Sequence, residues 1–465
     1  MKPRTIVFFI AGIILSLGIL SVVFPREGIS IGSRTYYFPS LRTLVDDDQR
    51  KIELDIKTIP PEISQLSDSI LFFDSLVNEG KLRFWLPDSS YFNSFWETVE
   101  QAKENNTIVR ILHYGDSQIE MDHISSQLRK HLQEAFGGGG PGMLPFQTIV
   151  PTRTVQQWNS GNLIHLSSFG DSTVVRSRGN YGLMMQCFQM NGDASVNIRA
   201  SKSNNVDDRV KQFSNINVVY HCKTNYLSGT LVDLDTKKKE TCQKANSTVG
   251  KLHWDLAQPS KSLQIRMSGA ANIYCITLDD GPGVSVDNIP MRGCSGQQFT
   301  LVNESLLTDA YKQLNIGMII MQFGGNSVPY LKNAKDVSDY CSAIGKQIDY
   351  VHKCCPNAKI LFIGPSDMST RLNGQLQTYP IIHSLIDSLA SMTTRHGVAF
   401  WSIFHAMGGE NTMPQWVKEG LAGEDYIHFS QRGADLMGDF LAEAFNNSYQ
   451  LFCMRRKMKQ YNEEK

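Results

Sequence analysis

Hydrophobic and polar positions follow two different periods along the chain, and the change of period divides it into segments. From residue 298 onward, segments with helical periodicity alternate with short, β-branched apolar runs of strand length. The pairs are helix 298–314 before strand 317–323, helix 334–353 before strand 359–364, and helix 376–396 before strand 398–402. This alternation predicts a parallel sheet between helices, in a three-layer α/β/α flavodoxin-like arrangement.

An earlier part of the chain is predicted to add one strand to the same sheet. Residues 107–114 are a β-branched and apolar run, and residues 119–136 after them have helical periodicity. Residues 89–105 are expected to form the helix that leads into this strand. The α/β domain is therefore assigned to residues 89–146 and 281–447.

Residues 147–280, between the two parts of this domain, have a period of two instead of a helical period. Seven short alternating segments, separated by Gly, Asn, Asp and Ser, predict strands at 172–176, 183–189, 195–200, 215–221, 229–234, 263–267 and 272–278. A loop of this length without secondary structure would be uncommon. We therefore expect an antiparallel β-sandwich inserted into the α/β domain.

The N-terminus is uniformly apolar over residues 5–24. This segment carries no charge and is long enough to cross a ~30 Å hydrocarbon core as a helix. Lys2 and Arg4 precede it, which favours a cytoplasmic N-terminus with the rest of the chain outside the cytoplasm. We expect residues 1–25 to be an uncleaved transmembrane signal anchor. A cleaved signal peptide fits less well, because its apolar core is usually ~7–15 residues long and ends at a small-residue cleavage site.

The segments that flank the domains are more polar. Residues 26–88 contain a charge cluster and two adjacent prolines, and we expect them to form a membrane-proximal stalk. Ser430 is expected to cap the last helix, over residues 431–445. Residues 448–465 are expected to be a polar and partly mobile tail.

Composition argues against several classes of function. The 465 residues include 45 Lys and Arg and 45 Asp and Glu, so the net charge is zero, which argues against an electrostatic nucleic-acid binder. The nine cysteines have neither metal-ligand spacing nor a redox dithiol motif, and we expect no metal and no cofactor. Cys222 and Cys242 could form a disulfide in an oxidising compartment, which the sequence leaves open.

Three short polar segments, at residues 115–118, 324–326 and 425–428, are each predicted to lie at the end of a strand. Ser117 lies at a strand-to-helix turn, where its hydroxyl would be exposed and the first backbone N–H groups of the helix could bind an anion. A serine needs a base to take its proton, and His428, with Asp425 three residues earlier to orient it, can supply one. Asn326 has a side-chain amide that can donate to an oxyanion.

Each of these segments alone is more typical of a turn, a helix cap or a surface loop, since Gly, Asp, Asn and Ser favour such positions. All of them, however, are predicted to lie on one edge of one sheet. This coincidence favours the catalytic interpretation, a serine nucleophile with a histidine base.

In their order along the chain, the segments resemble the sequence blocks of the SGNH hydrolases, also called the GDSL-like lipase/acylhydrolase family. Ser117 in Gly-Asp-Ser-Gln matches the nucleophile block, and Asn326 in Gly-Gly-Asn matches the Gly-x-Asn block. Asp425 and His428 match the Asp-x-x-His block. The resemblance implies a Ser-His-Asp triad, with the backbone N–H of Ser117 and the side chain of Asn326 in the oxyanion hole.

The family's remaining block supplies a glycine whose backbone N–H completes the oxyanion hole. The resemblance assigns this role to Gly293, with Gly296 as the alternative. The chain departs from the family pattern at Gln118, where the family's name has Leu, and at Ser327, where the family often has an acidic residue. Neither departure removes a catalytic atom.

With its inserted β module, the chain is similar to periplasmic peptidoglycan O-acetylesterases. The resemblance implies an esterase that removes O-acetyl or other short acyl groups from a cell-envelope or extracellular polysaccharide, held in the bacterial inner membrane with its catalytic domain in the periplasm. The alternatives are a polysaccharide O-acyltransferase with the same triad, working beside a membrane acyl-export partner, and a non-catalytic envelope carbohydrate-binding protein. Trp158, Tyr181 or Trp254 could stack on sugars, although each alone is more typical of the core.

Overall fold

The computed structural model of this protein describes residues 29–31, 34–36, 84–170, 175–177, 179–223 and 226–463. The chain divides into two compact units, Met1–Asp55 and Ile56–Lys465. In the first unit, the described residues form two antiparallel strands, β1 (Ile29–Ile31) and β2 (Arg34–Tyr36). The predicted anchor and most of the predicted stalk lie outside the described residues. Within the described residues, no helix combines the length and the apolar character needed to cross a membrane.

The second unit contains two large sheets and eight described α-helices. Its strands are β3 (Phe84–Trp85), β4 (Ile108–Gly115), β5 (Gly142–Leu144), β6 (Val155–Ser167), β7 (Gln186–Ala200), β8 (Phe213–His221), β9 (Leu227–Asp233), β10 (Gln243–Lys244), β11 (Val249–Ser260), β12 (Ser262–Asp279), β13 (Gly283–Pro290), β14 (Ile316–Gln322), β15 (Lys359–Gly364), β16 (Ser369–Leu372), β17 (Gln375–Thr378) and β18 (Ala399–Ser402). Its helices are α1 (Asn93–Gln101), α2 (Ser125–Phe136), α3 (Glu304–Tyr311), α4 (Ala334–Cys354), α5 (Ile382–Arg395), α6 (Ile403–Ala406), α7 (Met413–Lys418) and α8 (Gln431–Glu463).

Six of these strands form one sheet, in the order β13-β4-β14-β15-β18-β3. The first five strands pair in parallel, and β3 pairs antiparallel with β18 at one edge. Counted in chain order, the five parallel strands lie in the order 2-1-3-4-5, which is that of flavodoxin-like sheets. The predicted α/β architecture with a parallel sheet is confirmed.

Helices cover both faces of this sheet. On β14, Met318 and Ile320 pack into the core that includes α1, α2 and α8, whereas Ile319 and Met321 pack into the core that includes α3, α4 and α5. Successive side chains of a strand point to opposite faces, so a strand buried on both sides must be apolar throughout. That requirement explains the continuous apolar runs in the sequence.

The other eight strands, β5 to β12, form an antiparallel sheet from residue 142 to residue 279. The long strand β12 connects it: the first part of β12 pairs with β7 and β9, and the last part pairs with β8 and β5. Hydrogen bonds thus join all eight strands into one sheet, whereas we predicted a sandwich of two. The division of the chain into an inserted domain and a two-part α/β domain stays a prediction.

Some strand boundaries in this sheet were predicted wrongly. The predicted strands 263–267 and 272–278 are both parts of β12, and 195–200 belongs to β7 together with most of 183–189. Turn-favouring residues separate the members of each pair in the sequence. In the structure, Gly192 of β7 lies opposite Gly269 of β12, so the two breaks face each other within a continuous ladder. Strands β5, β6, β10 and β11 were not predicted. Most of the predicted strand 172–176 lies outside the described residues.

The ends of the α/β part also differ from the prediction. Phe84 and Trp85, which we assigned to the stalk, form the edge strand β3. Helix α8 continues to Glu463, so most of the predicted mobile tail is helical. The physical reason is packing: the ring of Tyr449 lies 5.2 Å from that of Trp96 and 5.0 Å from that of Phe136.

Four predicted helices are shorter than expected. The segments 89–105 and 119–136 are α-helical only over α1 and α2. The segment 298–314 contains a 3-10 turn, Phe299–Leu301, followed by α3. The segment 376–396 begins with part of the hairpin β16–β17 and becomes helical only at α5.

The structure does not join Cys222 to Cys242 by a disulfide, and both residues are among those described. Cys222 is buried and its thiol lies 3.4 Å from the carbonyl oxygen of Ala270, whereas Cys242 is exposed.

Candidate active site

The predicted nucleophile lies where the first parallel strand ends. Strand β4 stops at Gly115, and a 3-10 helix, Ser117–Asp122, begins two residues later. Asp116 caps this helix, because its Oδ1 accepts a hydrogen bond of 3.0 Å from the backbone N–H of Gln118. Since β4 and β14 flank the point where the strand order reverses, Ser117 lies where ligands bind in open α/β sheets.

Three residues far apart in the sequence form a hydrogen-bonded chain at this position. Ser117 Oγ lies 2.8 Å from His428 Nε2, and His428 Nδ1 lies 2.7 Å from Asp425 Oδ2. An ionised carboxylate only accepts hydrogen bonds, so Nδ1 carries the proton and Nε2 is free to accept the proton of Ser117. The geometry is that of a serine nucleophile with an oriented histidine base.

Asp425 is held as an anion by its own loop. Burial acts to raise its pKa, but hydrogen bonds from the His428 side chain and from the backbone N–H groups of His428 and Ile427 outweigh burial and lower the pKa below its ordinary value. Each backbone bond is 3.0 Å long and ends on Oδ1. The carboxylate can therefore stabilise the imidazolium that forms when His428 takes a proton.

Asn326 enters the site from the neighbouring strand. It follows β14, in the 3-10 segment Gly325–Tyr330, and lines the same cleft as Ser117 and His428. Its Nδ2 donates to Asp116 Oδ2 at 3.2 Å and to the Cys294 carbonyl at 3.1 Å. Both amide hydrogens are thus engaged, so Asn326 must redirect one of them to bind an oxyanion.

Gly293 lies in a turn after β13, where the backbone N–H of Cys294 donates to the Met291 carbonyl at 3.0 Å. Its φ of +74° favours glycine, although an added Cβ would meet nothing within 4 Å. At Gly296, φ is +87° and a Cβ would come within 2.8 Å of the Phe323 ring. Among the described residues that line the Ser117 cleft, neither glycine is present. The oxyanion role of Gly293 stays a prediction.

Gly293 instead lines a larger cavity beside the site. This cavity has a volume of about 830 Å³ and lies between the carboxyl end of β13, the 3-10 helix of Ser117 and strands of the antiparallel sheet. Cys294 also lines it, and the Cys294 carbonyl is a partner of Asn326. The turn at Gly293 and Cys294 therefore lines the large cavity and also contacts the site residue Asn326.

Asp116 was not among the predicted site residues. It is buried, and burial raises the pKa of its carboxyl to about 6, although hydrogen bonds from Gln118 and Asn326 and the nearby His428 act in the opposite direction. The sequence shows that Asp116 is next to Ser117. It does not show the contact with Asn326, because that contact depends on how two neighbouring strands pair.

Gln118 was noticed only as a departure from the family pattern. Its Nε2 donates to the Ile427 carbonyl at 2.7 Å, and its Oε1 accepts from the Phe429 backbone N–H at 3.2 Å. These two bonds bracket His428 on both sides. Gln118 therefore connects the turn of the nucleophile to the loop of the base.

The cleft at Ser117 is small, with a volume of about 170 Å³. Beyond the residues already described, its wall consists mainly of apolar and aromatic side chains: Phe323, Pro329, Tyr330, Pro365, Met368, Ile403 and Ile427. An apolar wall with a few polar groups at one end is typical of small-molecule sites.

A solved structure of a peptidoglycan O-acetylesterase matches the fold of this chain over most of both chains. The match covers 78% of this chain and 97% of that chain, with a TM-score of 0.62 and 20% sequence identity. This chain has the SGNH/GDSL hydrolase fold.

Family two carbohydrate esterases also match, from Cellvibrio japonicus and from Clostridium thermocellum in complex with cellohexaose. The first has 10% identity over 64% of this chain and 99% of that chain, with a TM-score of 0.25. The second has 10% identity over 62% and 100%, with a TM-score of 0.27. No family model and no curated protein matches the chain.

The three aromatic residues that we suggested as sugar contacts differ in their exposure to solvent. Tyr181 and Trp254 are buried, at 4% and 3% exposure, and belong to the core, which is the more typical outcome. Trp158 on β6 is half exposed, and its ring lies 5.9 Å from the Arg199 guanidinium carbon. None of the three is among the described residues that line the Ser117 cleft.

Proposed function

We propose that this chain is a serine esterase that removes O-acetyl groups from a cell-envelope polysaccharide. The observation that carries the proposal is the hydrogen-bonded chain Ser117–His428–Asp425 at the carboxyl edge of the parallel sheet. A serine becomes a nucleophile only when a positioned base takes its proton, and here the base is in turn oriented by a carboxylate.

In the first half of the reaction, His428 Nε2 takes the proton of Ser117 as Oγ attacks the ester carbonyl carbon. The oxyanion that forms is held by the backbone N–H of Ser117, by that of Gly293, and by Asn326 after it redirects one amide hydrogen. The tetrahedral intermediate then collapses. The bond to the sugar oxygen breaks, and His428 donates its proton to that oxygen, which leaves as a hydroxyl.

In the second half, His428 takes a proton from water, and the hydroxide attacks the acyl carbon on Ser117. A second oxyanion forms in the same place. Its collapse breaks the bond to Oγ, and the proton returns from His428 to Ser117 as acetic acid leaves and ionises. No group other than the protein, the ester and water is needed.

The size of the site supports a short acyl group. A cleft of about 170 Å³ is smaller than the ~300–1,000 Å³ of pockets that enclose drug-sized ligands, so a long acyl chain would not be enclosed. The fold shared with a peptidoglycan O-acetylesterase supports an acetylated envelope polysaccharide as the substrate class.

The test is acetate release by the full chain from O-acetylated peptidoglycan and from vinyl acetate, an ester without a ring. We expect Ser117→Ala to lower kcat by about 10⁴- to 10⁶-fold on both esters, since nothing replaces the nucleophile. Asn326→Ala should lower kcat by ~10²–10³-fold. Ser305→Ala, at an exposed serine on α3, is the matched control and should have full activity.

Two other outcomes would reject the proposal. Equal acetate release by wild type and Ser117→Ala would show that Ser117 is not the nucleophile. Transfer of acetyl to an added sugar acceptor, faster than release as acetate, would show that the chain is an O-acyltransferase.

We also propose that residues 1–25 anchor the chain in the bacterial inner membrane, with the site in the periplasm. The uncharged apolar segment 5–24, preceded by Lys2 and Arg4, supports this proposal. A phosphatase that is active only in the periplasm, fused after Lys465 of the full chain, should be active and membrane-bound. An inactive phosphatase fusion, together with an active cytoplasmic reporter at the same position, would reject it.

A further inference from the structure

The cleft at Ser117, with a volume of about 170 Å³, is too small to enclose an acetylated oligosaccharide. Because the cleft is small and the alcohol oxygen must stay within reach of His428, the alcohol part has to extend out of the cleft past the side chains at its rim. Those rim side chains therefore contact the part of the substrate that distinguishes one acetyl ester from another.

Tyr330 is the most exposed large aromatic among the described residues of this cleft. It is 77% exposed, although it lines the same cleft as Ser117, Asn326 and His428. Single exposed apolar residues are common on protein surfaces, but this ring lies beside a nucleophile instead of on an unrelated face.

The backbone that carries this ring is well anchored. Tyr330 ends the 3-10 segment that contains Asn326, and Val328 within that segment is 1% exposed and packs in the core. The backbone N–H of Leu331 closes the segment by donating to the carbonyls of Ser327 and Val328. The segment thus fixes the base of the ring relative to Asn326, while the ring itself has open space in front of it.

We propose that the Tyr330 ring is a binding subsite for the pyranose ring that carries the acetyl ester. This inference rests on the proposed esterase function and adds the contact that selects a sugar as the alcohol part. Pyranose rings present faces of C–H groups, and an exposed tyrosine offers a rigid apolar face with a polar edge. Asn326 then binds the oxyanion from one end of the 3-10 segment, and Tyr330 binds the sugar from the other.

The test compares two esters in the full chain: O-acetylated peptidoglycan oligosaccharides and vinyl acetate, which has no ring to stack. The measured quantity is the ratio of kcat/KM for the oligosaccharide to kcat/KM for vinyl acetate, which does not depend on the folded fraction of a variant. We expect Tyr330→Ala to lower this ratio about tenfold, because the contact with the sugar is lost. Tyr330→Phe keeps the ring face and should leave the ratio within about twofold of wild type.

Tyr226 provides the matched control, since it is 73% exposed and is not among the described residues of the cleft. Tyr226→Ala should leave the ratio unchanged. A ratio in Tyr330→Ala equal to that of wild type would overturn the inference and leave the esterase function standing. An equal loss in Tyr330→Phe would also overturn it, because the hydroxyl and not the ring face would then make the contact. If the wild type hydrolysed neither ester, the proposed function itself would fail.

Discussion

At the scale of single residues, the contact between Asp116 and Asn326 has a chemical consequence. Asp116 is buried beside the nucleophile and accepts a hydrogen bond from the side chain that would bind the oxyanion. Hydrogen bonds to an ionised acceptor are stronger than those to a neutral one. The charge state of Asp116 therefore controls how firmly Asn326 is oriented.

This coupling predicts a pH dependence of activity. Because burial raises the pKa of Asp116 to about 6, its carboxylate becomes protonated as the pH falls through about 6, and Asn326 loses a charged acceptor. We expect kcat/KM for vinyl acetate to decrease over that range. Asp116→Asn should have kcat/KM about tenfold lower above pH 6 and a shallower decrease below it. Acid limbs of the same steepness in both proteins would contradict this prediction.

Stability should depend on pH in the opposite sense. The pKa of Asp116 in the folded chain, about 6, is above its ordinary value of 3.8, so folding favours the neutral carboxyl. The neutral Asp116 carboxyl stabilises the folded state fully below pH 3.8, and this contribution is lost as the pH rises through about 6. Thermal unfolding should therefore show a larger advantage of Asp116→Asn over wild type above pH 6 than below pH 3.8. An advantage that does not change with pH would contradict this assignment.

At the scale of elements, the site depends on how a loop is held against a helix start. The loop before α8 carries Asp425 and His428, and a short β-bridge joins its Ala422 to Phe429. Ser430 accepts a hydrogen bond of 3.2 Å from the Gly433 backbone N–H, in the capping position predicted from the sequence. These contacts order the loop internally.

Gln118 adds the contact that sets the position of this loop relative to Ser117. Replacing it with Leu, the residue in the family's name, removes both bonds to the backbone around His428 and leaves the Ile427 carbonyl and the Phe429 N–H without their partner. We expect kcat to fall about tenfold in Gln118→Leu, while KM for vinyl acetate changes less, because the base is misplaced and the binding surface is retained.

The matched control is Gln415→Leu, at an exposed glutamine on α7, and it should retain the wild-type kcat. A kcat within about twofold of wild type in Gln118→Leu would mean that the loop is positioned without this side chain.

At the scale of the whole molecule, a buried ion cluster connects the two large sheets. Arg110 on β4 contacts Asp279 on β12 of the antiparallel sheet and Asp287 on β13 of the parallel one, at 2.7 Å for the second pair. All three side chains are at most 3% exposed. Asp287 also accepts a hydrogen bond of 2.8 Å from the Met143 backbone N–H of β5.

Removing the cation of this cluster should destabilise the fold strongly. Arg110→Met leaves two buried carboxylates without a partner charge, and breaking a buried ion pair in this way typically costs ~3–5 kcal/mol. The free energy of unfolding in urea measures this cost. Lys335→Met, which breaks the exposed pair with Asp339, is the control and should change stability little. Equal stability of Arg110→Met and wild type would mean that the cluster does not hold the two sheets together.

The sequence alone determined the elements whose pattern is local. The β-branched runs predicted β4, β14, β15 and β18 to within a few residues, because a strand buried on both faces must be apolar along its length. The Ser117 and Asn326 segments were recognised because each follows such a strand, β4 and β14 respectively. The Asp425-x-x-His428 segment lies instead in the loop before α8, and only its residue types and spacing identified it.

The tertiary structure decided what depends on residues far apart in the chain. The turn-favouring residues around Gly192 interrupt the sequence pattern but not strand β7, because Gly269 lies opposite them. Helix α8 extends past the predicted end because aromatic rings of α1 and α2 bury its Tyr449. Only the parallel order of β4 and β14 brings Asp116 to Asn326, and only the folded loop brings Gln118 to both neighbours of His428. Local sequence patterns indicate which face of a strand or helix is buried. Contacts between residues far apart in the chain depend on how distant segments pack.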